Sequence, residues 1–347
     1  MKEAQTIISR ANRHTDSQYN CIDLLKFIMA FAVVAIHTNP LKCCKNTYIF
    51  TLYENITDLS VPFFFVASGY LLSKKMKYPF GSASVEAVNK QLHKIFKMYI
   101  IWMLIYTPID VVHKCYQRVP LLKAVLLYIR GMVFIGEQYN SWPLWFLLSS
   151  TYALILIKIL MKRKISFEGL LALSALFAFI KYGLDCFSTF NQQASSILGL
   201  ISRAIGLSVC SGRILSGVIY IPIGMYLGYN SLRICTSILL FVSGFTLRCL
   251  IHNASLDGLL LIITITGFWG IIVRIRLPDC GIYNLLRKSI TVIYLLHMYV
   301  WTIYYCIVYK EKTYGFDSFV VTSIISLLLA WAYLSLKEKV VSRVICP

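Results

Sequence analysis

Two ionisable residues inside the first apolar run offer the clearest chemistry. They are Lys26, in Ile22-Asp23-Leu24-Leu25-Lys26-Phe27, and His37, in Ala35-Ile36-His37-Thr38. Ionisable groups within a membrane span are costly and usually face a cavity, so they mark where function concentrates. The two are eleven positions apart, close to three helical turns, which puts both on one stripe roughly 16 Å apart along the axis. They cannot touch each other, but they can meet the two ends of one elongated ligand, such as a pantetheine arm. An imidazole poised near neutrality can take a proton from a hydroxyl. A lysine can hold a phosphate as a point charge. Structural roles stand beside these. Lys26 can snorkel to the membrane interface or pair with Asp23 at i,i+3, and His37 can hydrogen-bond a neighbouring helix.

Further polar groups recur at depth. The ninth apolar segment carries Ser289, Tyr294 and His297, and His297 falls roughly 12 Å from that segment's start by helical rise, near mid-membrane. Arg213 precedes Pro222 and Gly224, and its planar donor fork suits an anionic group as well as it suits anchoring a helix. Trp145, in Trp142-Pro143-Leu144-Trp145-Phe146, reads either as part of an interfacial aromatic belt or as a binding surface. Ser68, in Val61-Pro62-Phe63-Phe64-Phe65-Val66-Ala67-Ser68-Gly69-Tyr70, is a conceivable nucleophile. Nothing beside it in sequence activates it, so packing of a kinked helix is the simpler role.

The elements that must position these residues are membrane helices. The 347 residues are 58% hydrophobic and 14% charged, against roughly a quarter charged in soluble domains. The sequence predicts an all-α polytopic integral membrane protein, a single domain over 1–347 with about ten spans. These fall at 21–39, 56–73, 95–112, 144–161, 167–187, 214–230, 234–251, 257–274, 289–309 and 317–336, each of about 20 residues. The stretch 120–135, broken by Arg130 and Gly131, reads as interfacial or re-entrant. The apolar run from Cys21 lacks a cleavable small-residue site, so it reads as a retained first helix.

The net charge of +19 lies on loops rather than on a phosphate-tracking stripe, so nucleic acid is not expected as a partner. With the N-terminus inside, the cytoplasmic loops collect Lys74, Lys75, Lys77, Lys162, Arg163, Lys164, Arg274, Arg276, Arg287 and Lys288. Both termini are therefore expected in the cytoplasm of a multi-pass cell-membrane protein. The eleven cysteines form no CxxC pair, which argues against zinc and redox motifs, and no metal is expected.

In these residues the sequence resembles the membrane acyltransferase 3 family over essentially the whole chain. The most specific match is the basic residue, ten intervening residues and histidine of Lys26 and His37. The Val61 to Tyr70 stretch, Leu144-Trp145-Phe146, Arg213 ahead of Pro222 and Gly224, and Ser289 to His297 follow in matching order. Within that family the first helix is especially similar to the membrane half of the vancomycin-resistance serine racemases. The likeness does not extend to a racemase domain and carries no racemase activity. Two departures stand out: Pro143 where many relatives place histidine, and no glutamate shortly after Trp145.

The resemblance implies transfer of a short acyl group, acetyl foremost, from cytoplasmic acyl-CoA to a hydroxyl of an extracytoplasmic or lipid-linked glycan. His37 would be general base and Lys26 the holder of the donor. Arg213, Trp145, Ser68, Tyr294 and His297 would be substrate-binding, with acyl-CoA as a substrate and no permanently bound cofactor. The alternative is a membrane transporter for serine or another small polar solute lined by the same residues.

Overall fold

A computed structural model of the chain describes residues 19–191, 210–251 and 254–345, with side chains over 19–183, 213–251 and 256–337. The described residues are helical, with no β-strand among them. In chain order the helices are α1 (Asn20–Thr38), α2 (Thr47–Asp58), α3 (Ser60–Ser73), α4 (Ser82–Tyr116), α5 (Leu121–Arg130), α6 (Leu144–Lys162) and α7 (Phe167–Asn191). They continue with α8 (Ser216–Tyr229), α9 (Ile234–Leu250), α10 (Ala254–Ile272), α11 (Ile282–Val308) and α12 (Phe316–Ile345).

Each of the ten expected spans coincides with helix. Among the described residues six helical stretches are long and apolar enough to cross a bilayer, α2 and α3 counting as one over Thr47–Ser73. The helices Ile234–Leu250 and Leu256–Ile272 are shorter but apolar. The fold is thus that of an all-α membrane protein. Segment 120–135 forms the ten-residue α5 followed by a π turn, Gly131–Ile135, too short together to span. Pro62 is the third residue of α3. In the first turn proline loses no intrahelical hydrogen bond, so it starts this helix rather than kinking it.

The chain divides into two compact units, Met1–Ser60 with Phe268–Pro347, and Val61–Gly267. In the first, α1 and α12 both pack on α11, and α2 packs on α1. Asn39 ends α1 in the left-handed conformation, its amide returning to the Ala35 carbonyl. Asparagine tolerates that conformation, and Pro40 cannot continue the helix. The Tyr53 hydroxyl from α2 donates to Ala35 O at 2.8 Å, and Gly315 N donates to Thr38 O at 2.9 Å. The last turn of α1, which carries His37, is held by these bonds. At the other end, Asn20 donates to Pro278 O at 3.1 Å and Arg287 pairs with Asp23 at 3.6 Å.

The second unit is built around α8, most of whose residues are buried. It packs on α6 and α7, while α4 packs on α6. Lipid offers no hydrophobic drive between helices, so close backbone approach through small residues carries the association. A Cβ on Gly224 would stand 2.1 Å from the Val66 carbonyl oxygen, and one on Gly69 would stand 2.1 Å from that of Ile221. The contact on both sides is backbone, which cannot rotate away. Gly224→Ala is therefore expected to destabilise the protein by about 1–3 kcal/mol through overpacking. Gly183→Ala, with nothing within 4 Å, should leave stability unchanged or slightly raised. Thermal unfolding of both in detergent checks this, and equal effects would refute the close-packing account.

Candidate functional site

Within the first unit, His37 in the last turn of α1 and His297 midway along α11 come together. Their rings stack with centroids 5.4 Å apart and planes inclined by 23°. His297 is fully buried and His37 half-buried. Side chains on a helix lean toward its N-terminus, so a histidine at the end of α1 reaches back to a residue placed deeper on α11. Nδ1 of His297 lies 3.2 Å from the Ile293 carbonyl. A carbonyl only accepts, so the proton sits on Nδ1 and Nε2 presents a lone pair. No described group hydrogen-bonds that Nε2.

Tyr294 is buried beside this pair, its ring 6.4 Å from that of His297 and nearly perpendicular. Ser289, one turn before Ile293, returns its hydroxyl to Leu285 O at 2.9 Å and serves the helix itself. Lys26 lies on the same continuous helix as His37, three turns earlier and half-buried.

Within the second unit, Trp145 and Arg213 come together. Trp145 is in the first turn of α6, which Pro143 caps. Arg213 lies in the 3-10 turn Cys210–Leu215 that leads into α8. The guanidinium carbon stands 5.9 Å from the centre of the Trp145 rings, and one of its nitrogens donates to Glu137 Oε2 at 3.2 Å. Burial lifts the Glu137 carboxyl above its ordinary range, and Arg213 draws it back down. The segment that carries Glu137 is pinned to its neighbours. Tyr99 donates to Met132 O at 2.5 Å and Tyr152 to Val133 O at 2.7 Å. Tyr139 N donates to the buried Asp110, and its ring stacks on His113 at 3.5 Å. Ser68 is half-buried on α3, where Gln91 Nε2 donates to its hydroxyl over a long 3.5 Å.

Trp145 and Arg213 border a cavity of about 140 Å³, lined also by Lys181 and Tyr182 of α7 and by Tyr220 of α8. Lys181 and the two tyrosines were not legible as site residues. Behind them, Arg248 at the end of α9 is buried and bonds Asp257 of α10 through two nitrogens, at 2.7 and 3.1 Å. This pair had a signal. An arginine closing one apolar span and an aspartate opening the next, nine residues on, imply a pair across a helical hairpin. Among the residues whose side chains are described, no cluster of three or more metal-ligating side chains occurs.

The family model of the acyltransferase 3 domain, described as "Acyltransferase domain", matches residues 19–335. Two similar relatives from Enterococcus faecalis are each described as "Amino-acid racemase". One is 27% identical over 215 residues, covering 62% of this chain and 29% of the relative. The other is 31% identical over 129 residues, covering 37% and 17%. The chain thus spans less than a third of the length of these relatives. No solved structure matches the chain. With the family model running through both units and across the stacked histidines as well as the arginine and tryptophan, the chain belongs to the acyltransferase 3 family of membrane acyltransferases.

Proposed function

We propose that the protein transfers a short acyl group, most simply acetyl, from cytoplasmic acyl-CoA to a hydroxyl of an extracytoplasmic or lipid-linked glycan at the bacterial cell membrane. The observation that carries this reading is the stacked His37–His297 pair, which sets a half-buried imidazole against a fully buried one inside a membrane bundle. His37 takes the proton of the acceptor hydroxyl as its oxygen attacks the thioester carbonyl. The carbon–sulfur bond breaks, and His37 returns the proton to the departing thiolate, so no net proton is consumed. Lys26 holds the phosphate or pantetheine portion of the donor by charge from roughly 16 Å along the same helix. His297 and Tyr294 orient the base, while Arg213 and Trp145 bind substrate. Ser68 is assigned a packing role on the substrate side.

The topology that goes with this reading has both termini in the cytoplasm, supported by the lysine and arginine bias of the loops. It gives the chemistry its reason to lie in a membrane, with a donor on one side and an acceptor on the other or in lipid.

The test is release of CoA and movement of label from radiolabelled acetyl-CoA by the purified protein in lipid, with and without cell-envelope extract. Transfer to an extractable glycan is the expected result. If acetyl-CoA neither binds nor reacts with any extract, the enzyme reading falls. A second reading, a carrier for serine or another small polar solute, is favoured by the two racemase-described relatives. Serine uptake into vesicles lacking acyl-CoA would support it.

A further inference from the structure

The cavity in the Val61–Gly267 unit has a composition that narrows what can occupy it. Its lining includes Trp145 and Phe65, two cations, Lys181 and Arg213, and two tyrosines, Tyr182 and Tyr220. None of the described lining residues is a carboxylate. Glu137 engages Arg213 through a single nitrogen at 3.2 Å. Guanidinium presents five N–H donors in a planar fork, so most of the fork remains for a ligand. An aromatic face beside polar groups suits a sugar ring, whose C–H face is apolar and whose edge is hydroxylated. Paired cations at its margin suit a carboxylate or phosphate, arginine by its bidentate fork and lysine as a point charge.

The wall is also built to hold its shape. The Tyr182 and Tyr220 hydroxyls stand 3.4 Å apart. Tyr182 lies so close to α10 that a Cβ on Gly258 would meet its ring at 1.8 Å. Ring positions fixed by packing and hydrogen bonds are what preorganised recognition requires. The site opens to its surroundings as well as into the wall, so the lining fixes the group held at the margin rather than the size of the whole ligand.

We propose that this cavity selects an anionic sugar, a glycosyl unit bearing a carboxylate or a phosphate, and discriminates against its neutral counterpart. The assignment of that sugar to the acyl acceptor rests on the acyl-transfer reading, whereas binding itself does not.

The experiment titrates the purified full chain in nanodiscs, without acyl-CoA, with glucuronate, glucose 1-phosphate and glucose, by calorimetry. Saturable binding of at least one anionic probe is expected, with glucose at least tenfold weaker. The probe that binds more tightly identifies carboxylate or phosphate as the preferred group. Arg213→Gln and Lys181→Gln should each weaken the anionic probe about tenfold or more, Arg213→Lys by less than Arg213→Gln, and Glu137→Gln should tighten it by freeing the fork. Arg213 is half-exposed, with 47% of its side chain accessible, so these variants should fold, and their melting temperatures verify it. Equal affinity for glucose, no binding of any probe, no loss in the folded variants, or displacement by coenzyme A would each overturn the proposal. Because no donor is present, loss of the acyl-transfer reading would leave this result standing.

Discussion

His37→Ala is expected to lower acyl transfer by about 10²–10⁴-fold, the range associated with a positioned general base, while the protein keeps its fold. The fold should survive because the bonds that hold this turn run through the backbone. Tyr53 donates to the Ala35 carbonyl, Gly315 N to the Thr38 carbonyl, and the Asn39 amide closes the helix. Removing an imidazole that is only half-buried disturbs none of these. His297→Phe provides the contrast, since it keeps an aromatic ring against His37 but removes the Nδ1 bond to Ile293 and the Nε2 lone pair. A positioning role predicts a smaller loss there, in kcat rather than in KM for acetyl-CoA. The rate of CoA release across a range of acetyl-CoA concentrations measures both. Full activity in a folded His37→Ala protein would remove His37 from the chemistry.

The histidine pair also shows how far sequence alone could reach. Periodicity located α1 and α11, and counting residues placed Lys26 and His37 on one stripe and His297 at depth. Sequence could not place His37 against His297, because they stand 260 positions apart and nothing local encodes which faces meet. That contact comes from the packing of α1 on α11, with the Asn20 side chain bonded to Pro278 O at one end of α1 and Gly315 N bonded to Thr38 O at the other. The ten helical segments were readable because long apolar runs leave few alternatives in a bilayer. The break at Leu59 was less so, since a hydropathy window averages over a one-residue interruption.

The Arg213–Trp145 proximity was half legible. Each residue drew notice for its chemical type, yet their partnership with Glu137, Lys181 and Tyr182 is tertiary. The cavity is assembled from α3, α6, α7, α8, α10 and the turn before α8, and no short motif spans that set. The small residues that allow it to form were visible as Gly69 and Gly224, but only the opposing carbonyls of Ile221 and Val66 explain why glycine stands there.

Asp257→Ala should destabilise the protein more than Arg248→Met does, although the two substitutions break the same ion pair. Arg248 has 1% of its side chain accessible, whereas Asp257 has 33%. Removing the aspartate leaves a guanidinium buried without its bidentate partner, at a cost of about 3–5 kcal/mol. Arginine cannot escape by losing its proton, since guanidinium stays charged in proteins. Removing the arginine instead leaves a carboxylate that is one-third accessible, while methionine fills an apolar position with an unbranched, adaptable side chain. The double variant Asp257→Ala with Arg248→Met should recover much of the loss, because no unpaired buried charge remains. Thermal unfolding of the three variants in detergent, followed by far-UV circular dichroism, decides the order. An Arg248→Met protein as unstable as Asp257→Ala would mean that the pair is held for attraction between its charges rather than tolerated as a mutual neutralisation, and the rigid wall behind Tyr220 would then owe its stability to that attraction.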